Sequence, residues 1–305
     1  MTISFQPMTC RICGNQISPI ESVMEKNRQT LSYADCNYQC VPCGVGYSNG
    51  QDESARTMIH ACHLDNLPKG PEGLRTDLEN CLANAANVQN RSNKRNKFAF
   101  STSEDALTWS VFWYLAHTNQ LASALGDENS DSATLFLWGC PVNNDPSSVQ
   151  SKLHVIQVDE LGETPNSKSE PDVIVETDTR LFFVESKLGS PNPCNPNYQN
   201  WNKYLREGET SSLFRKSEEE VKQAGLEELT RNWVIGNLLA NRLDKAFELV
   251  NLGPNSVESS SNQFAELVDQ AKAAYRFLSW SSLIGNLNQP VEEWFQAYLK
   301  QKHIG

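Results

Sequence analysis

From Phe98 onward the apolar positions recur at two spacings, one helical and one extended. In SEDALTWSVFWYLAH (103–117), Leu107, Val111 and Leu115 return every four residues, which predicts a helix whose aromatics, WSVFWY (109–114), belong to the core. Ser101 and Glu104 have the spacing of a capping box at its start. KLHVIQVDE (152–160), VIVE (173–176) and LFFVESK (181–187) read as strands. After the loop GSPNPCNPNYQ come a helical stretch around 218–243, a strand at 246–252, a helix near 262–273, a short strand at 275–280 and a last helix over 291–300. The serine run ESSS (258–261) reads as a loop. The order α-β-β-β-α-β-α-β-α predicts an α/β (α+β) domain over residues 98–305, with a mixed sheet flanked by helices.

The chain before Phe98 is patterned differently. Residues 1–60 are rich in cysteine, glycine, asparagine and serine and read as a small metal-stapled domain. Residues 61–97 read as a linker: Pro68 and Pro71 punctuate it, Leu74, Leu78 and Leu82 give it a helical segment, and RSNKRNK (91–97) closes it with four cations and no acid. That basic run suits a solvated linker, with phosphate contact as the alternative.

The stretch EPDVIVETDTRLFFVESK (170–187) places carboxylates where a buried sheet is expected. If 173–176 and 181–187 pair as an antiparallel hairpin centred between Asp178 and Thr179, Asp172 faces Glu185 and Glu170 faces Lys187. The two-residue period of a strand puts Glu185 and Lys187 on that same face. Carboxylates so close repel, and one takes up a proton unless a cation lies between them. A hard divalent ion such as Mg²⁺ (or Mn²⁺) resolves the conflict, because it accepts one or two carboxylates together with water and substrate phosphate. With a lysine alongside, these are the parts of a phosphodiester hydrolase. The competing reading is an exposed Glu170–Lys187 ion pair with Asp172 capping a strand.

Asp172 after Pro171, followed by Glu185-Ser186-Lys187, resembles the PD-(D/E)XK nuclease superfamily with its restriction-endonuclease-like core, over about two thirds of the chain. The resemblance implies Asp172 and Glu185 as metal ligands, Lys187 as the catalytic lysine, and Glu104 as an additional acidic residue from the helix before the first strand. It also implies DNA as substrate ahead of RNA. Gln199 and Tyr204 do not have the spacing of the extra motif found in some relatives and are not assigned.

Cys10, Cys13, Cys40 and Cys43 form two CxxCG knuckles, CRICG (10–14) and CVPCG (40–44), which together complete a tetrahedral zinc site with no open position. Cys36 is a substitute ligand. The segment resembles a zinc ribbon, a module that often docks nucleic acid or protein. HACH (60–63) offers His60, Cys62 and His63 without a second cluster to complete four ligands, and His154 reads as a packed or solvated histidine in a strand.

Composition narrows the setting. A net charge of −11 argues against non-specific coating of nucleic acid, while leaving room for a local basic patch and bound cations. No apolar run approaches the roughly 20 residues of a membrane span, the start MTISFQPMTCRICG lacks a signal-peptide pattern, and an odd count of nine cysteines with two CxxC pairs suits a reducing compartment. The expected location is the cytoplasm, without a membrane partner. Against the nuclease stands a catalytically inactive adaptor that binds nucleic acid or protein through its ribbon.

Overall fold

The computed structural model describes residues 6–20, 30–49, 56–142, 148–189, 191–208 and 210–304. Parts of the predicted cysteine-rich domain, 1–5, 21–29 and 50–55, lie outside the described residues. The chain divides into two compact units, one of residues 1–69 with 92–106 and one of residues 70–91 with 107–305. Among the described residues, no helix is long and apolar enough to cross a membrane.

In the first unit, β1 (Met8–Thr9) pairs antiparallel with β2 (Gln16–Ile17), and β3 (Tyr38–Cys40), β4 (Val45–Tyr47) and β5 (Met58–His60) form an antiparallel sheet in that order. Each CxxCG knuckle is the turn of a hairpin, between β1 and β2 and between β3 and β4. The glycines that follow the thiols, Gly14 at φ 75° and Gly44 at φ 61°, hold the left-handed conformation that other residues rarely adopt. The small apolar cluster behind them contains Met8, Ile17, Tyr38, Val45 and Tyr47.

In the second unit lies α1 (Gly73–Asn84). Two helices, α2 (Arg91–Phe98) and α3 (Glu104–His117), run from one unit's residues into the other's. The basic run 91–97 is therefore helical, and its Lys94 is buried. The helix predicted over 103–117 forms, and its aromatics are buried as expected, Trp109, Phe112 and Tyr114 completely. At its start Ser103 Oγ accepts from the third helical N–H, that of Ala106, at 3.2 Å.

The remaining elements are β6 (Ala133–Leu137), β7 (Cys140–Pro141), α4 (Ser148–His154), β8 (Val173–Thr177), β9 (Arg180–Ser186), α5 (Glu218–Ala224), α6 (Glu227–Leu243), β10 (Ala246–Gly253), α7 (Glu258–Leu267), β11 (Ala274–Ser279), α8 (Trp280–Gly285) and α9 (Glu293–Gln301). Six strands make one mixed sheet, ordered β11-β10-β9-β8-β6-β7 and flanked by helices. β6, β8 and β9 are antiparallel neighbours, whereas β9, β10 and β11 run parallel. The central strands are apolar on both faces, with Val173, Ile174, Val175, Phe182, Phe183 and Val184 fully buried, as a doubly covered sheet requires.

The strand predicted at 152–160 is a helix. Its β-branched Val155, Ile156 and Val158 favour extension, yet Val149, Leu153 and Ile156, spaced by four and three, are the residues buried in the core, while Val155 is exposed. Burial of a helical stripe outweighs local strand preference here. The first sheet strand is instead β6, a short apolar run. The predicted helix 218–243 is two helices, divided at Gly225, and ESSS lies in α7, where Ser261 Oγ bonds the Tyr275 hydroxyl at 2.6 Å.

Close approach of α6 to the sheet depends on Gly236. A Cβ there would lie 2.0 Å from the Phe247 ring, which packs between Phe183 and Trp233. The tight β6–β7 turn uses Trp138 and Gly139, both at positive φ, and the Trp138 N–H donates to the Asp172 carbonyl at 3.3 Å.

Candidate functional site

The four knuckle cysteines converge: their sulfurs all lie within 4.8 Å of one another, and Cys13 Sγ is 3.7 Å from Cys40 Sγ. A tetrahedron with Zn–S bonds of about 2.3 Å has edges of about 3.8 Å, so this spacing fits zinc. The Tyr47 hydroxyl donates to Cys10 Sγ at 3.5 Å. Burial pushes the Cys10 thiol up, but that bond and the N–H groups of Cys13 and Ile12 bring it down to about 6. Cys43 is pushed up to about 12, first by its sulfur bond with Cys13 and then by burial. Crowded thiols thus resist ionising together, which a bound cation reverses. The cluster could bind a structural metal such as zinc. Cys36 is not part of it: fully buried, it packs with Ile59 and Ala99 and donates to the Ser32 carbonyl. Nor do His60, Cys62 and His63 form a metal-ligating group among the described residues.

The second cluster sits where β8 begins and β9 ends. Val173 pairs with Val184, Ile174 with Phe183 and Glu176 with Leu181, which is the predicted register, and one further step sets Asp172 opposite Glu185. The Asp178-Thr179 turn lacks positive φ, so it is not a favoured hairpin turn. Side chains compensate: Thr177 Oγ1 accepts from the Arg180 N–H at 3.0 Å, and Ser132 donates to Asp178 at 2.8 Å. At the other end of the hairpin the Ser186 N–H donates to Asp172 Oδ2 at 2.9 Å.

Glu185 and Lys187 lie on one face, as the strand period requires, with Lys187 Nζ 2.6 Å from Glu185 Oε1. The same ammonium lies 2.8 Å from Glu228 Oε2. Asn232, one turn after Glu228 on α6, donates to Glu185 Oε2 at 2.8 Å. Lys187 is further fixed through its backbone, whose N–H donates to Leu252 O and whose carbonyl accepts from Trp280 Nε1, both at 2.8 Å. Ser186, fully buried between the two charged residues, shares a 2.6 Å bond with Thr108 Oγ1 of α3.

Glu185 is only 5% exposed, and burial, followed by the charge of Asp172, pushes its carboxyl up to about 8 against the pull of Lys187. Burial also raises Glu228, but Lys187 outweighs it and holds that carboxyl below its ordinary value. The two acids share one lysine and differ because Glu185 alone faces Asp172. Without a divalent ion the cluster therefore resolves its repulsion with a lysine and a proton. All the ligand atoms are oxygens, the donor type that suits Mg²⁺. Among the described residues, however, only the four cysteines form a group of three or more close ligands. A divalent ion at the hairpin would draw the rest of its shell from water and substrate.

Other sequence candidates fall elsewhere. Glu170, expected opposite Lys187, accepts from the Asn87 N–H at 2.6 Å. Lys187 is buried, which removes the reading of an exposed ion pair. His154 ends α4 rather than sitting in a strand, and is exposed. Tyr204 donates to Glu163 at 2.6 Å, and Gln199 to the Asn197 carbonyl. Glu104 opens α3 and belongs to the first unit. Glu228, Asn232 and Thr108 were not visible as site residues in the sequence. The available signal for the first two was only a Glu and an Asn four apart on a helix with several other polar positions. No protein-family model, curated protein or solved structure matches this chain.

Proposed function

We propose that the chain is a metal-dependent phosphodiester hydrolase, a DNA endonuclease of the PD-(D/E)XK type acting in restriction, defence or repair, with a zinc-ribbon-like module before it. The observation that carries this reading is the convergence of Asp172, Glu185 and Lys187 on one end of a central hairpin. The mixed sheet flanked by helices is consistent with the helix-plus-mixed-sheet core that the resemblance implies.

Asp172 and Glu185 would hold Mg²⁺ or Mn²⁺, with Glu104 as a further acidic residue on the strength of the resemblance. A bound divalent ion supplies a water of lowered pKa and offsets charge on the phosphodiester. Lys187 would supply an ammonium at the same end of the hairpin to offset charge on the phosphodiester. Asn232 orients Glu185, Glu228 holds Lys187 in place, and the Ser186 N–H fixes Asp172. Hydrolysis breaks one P–O ester bond and leaves a phosphate monoester and a hydroxyl.

One observation favours the inactive adaptor: Glu185 already has both oxygens bonded, to Lys187 and Asn232, as a purely structural ion pair would. Incubating supercoiled plasmid, linear duplex, single-stranded DNA and RNA with Mg²⁺ or Mn²⁺ separates the readings. Cleavage of DNA by the wild type, lost in Asp172→Ala and Lys187→Ala and reduced in Glu104→Ala, is the expected result. Metal-independent binding without cleavage by any form would establish the adaptor.

A further inference from the structure

A cavity of about 220 Å³ opens in the second unit, lined from the C-terminal end of α1, the β6–β7 turn, α4 and the loop before β8. Its lining charges are the cations Arg91 and Lys168, with the His154 ring beside them and no carboxylate among the lining residues. In a chain of net charge −11, such a lining singles out an anionic ligand. The cations are positioned by neighbours. Arg91 Nε and Nη2 both donate to the Ala85 carbonyl, at 3.0 and 2.8 Å, and Lys168 Nζ donates to His154 Nδ1 at 3.2 Å. Burial lowers the Lys168 ammonium against the opposing pull of Glu163 and Glu170, with Arg91 adding a smaller push in the same direction.

The remaining wall is amphipathic. Val88 and Leu153 offer apolar surface. Gln157 is 1% exposed; its Nε2 donates to the Ser169 carbonyl at 2.6 Å, which leaves Oε1 buried without a partner. An orphaned buried acceptor costs about 1–3 kcal/mol, which a donor on a ligand would recover. The volume is below the roughly 300–1,000 Å³ of sites for drug-sized molecules, so it suits one small unit rather than an extended ligand.

The cavity shares its wall with the loop that carries Asp172. The Ala86 N–H donates to the Trp138 carbonyl at 3.0 Å, the Trp138 N–H donates to the Asp172 carbonyl, and Lys168 lies four residues before Asp172. We propose that this cavity receives one nucleotide of the substrate strand next to the phosphate that is cut, its phosphate on Arg91 and Lys168, its base against Val88 and Leu153 and donating to Gln157 Oε1. The placement beside the cut phosphate rests on the hydrolase reading; nucleotide binding itself does not.

The test is calorimetric titration of the full-length, zinc-loaded Lys187→Ala protein with the four 2′-deoxynucleoside 5′-monophosphates and, separately, inorganic phosphate. At least one nucleotide should bind tenfold more tightly than phosphate. Lys168→Met should weaken both tenfold or more, whereas Gln157→Leu should weaken the nucleotide alone. Arg91→Gln serves as a second cationic variant, and each variant's circular dichroism must match that of the parent. Equal affinity for phosphate and nucleotides, or binding unchanged in well-folded Lys168→Met and Arg91→Gln, overturns the proposal. If the wild type cuts DNA but no nucleotide binds here, this inference falls alone; if nucleotides bind here but no DNA is cut, only the hydrolase reading falls.

Discussion

The thiol cluster of the first unit and the carboxylate cluster of the second solve the same problem by different means. Both crowd acidic ligand groups together. Around Cys10, Cys13, Cys40 and Cys43 the neighbouring groups that help are hydrogen bonds from Tyr47 and backbone N–H groups, and Cys43 is left far from ionising. Around Asp172 and Glu185 the chain supplies its own cation, Lys187, held between Glu185 and Glu228. The first arrangement could bind a structural metal, which would then contribute to folding; the second already holds its own cation and can fold without an ion.

Metal removal should break this symmetry most strongly. Structural zinc contributes apparent free energies of about 10–16 kcal/mol in small domains, as large as the whole stability of a typical protein. A strong chelator, or Cys40→Ser, should unfold the first unit while amide signals of the β8–β9 hairpin persist in NMR spectra. Unchanged zinc content in both Cys10→Ser and Cys40→Ser would remove the site. The next effect is in Glu228→Gln, which leaves the carboxylates intact but loosens Lys187; outer-shell partners of this kind are worth about 10–100-fold in metal affinity or activity. Single-turnover cleavage measures it, and a rate equal to wild type would show that Glu228 does not position the lysine.

A pH series sharpens the contrast further. An ordinary glutamate loses its proton near 4.5, but Glu185 in the folded chain keeps it to about 8. The folded state therefore holds an extra proton between those values. The stability this group contributes is full below about 4.5 and is lost as pH rises to about 8. Without added divalent cation, urea unfolding of the second unit should show that decline, and Glu185→Gln should flatten it; parallel pH profiles would refute the assignment. Smallest is Thr108→Val, which removes the 2.6 Å bond to Ser186 and should cost about 1 kcal/mol with little change in metal affinity.

How much of this was legible depended on the distance along the chain over which each relation acts. The β8–β9 register could be read because strand period and symmetry about Asp178-Thr179 are local, even though the turn itself relies on Ser132 from elsewhere. The CxxCG knuckles were equally local. Glu228 reaches Lys187 and Asn232 reaches Glu185 across more than forty residues, and nothing in α6 alone marks which of its polar positions meets a charge. Residues 152–160 misled because three β-branched side chains carry a strand preference that core burial overrides.

The bare backbone at Gly236 gives the charged cluster a mechanical dependence on an uncharged contact. With the Phe247 ring seated directly against the helix, the thickness of one aromatic ring gauges how deeply α6 sits over the sheet. Asn232 and Glu228 ride on the same rigid rod, one and two turns upstream. Even a methyl group at position 236 must shift either ring or rod, so the grip on Glu185 and Lys187 can be retuned from a purely greasy position that no inspection of ionisable groups would single out.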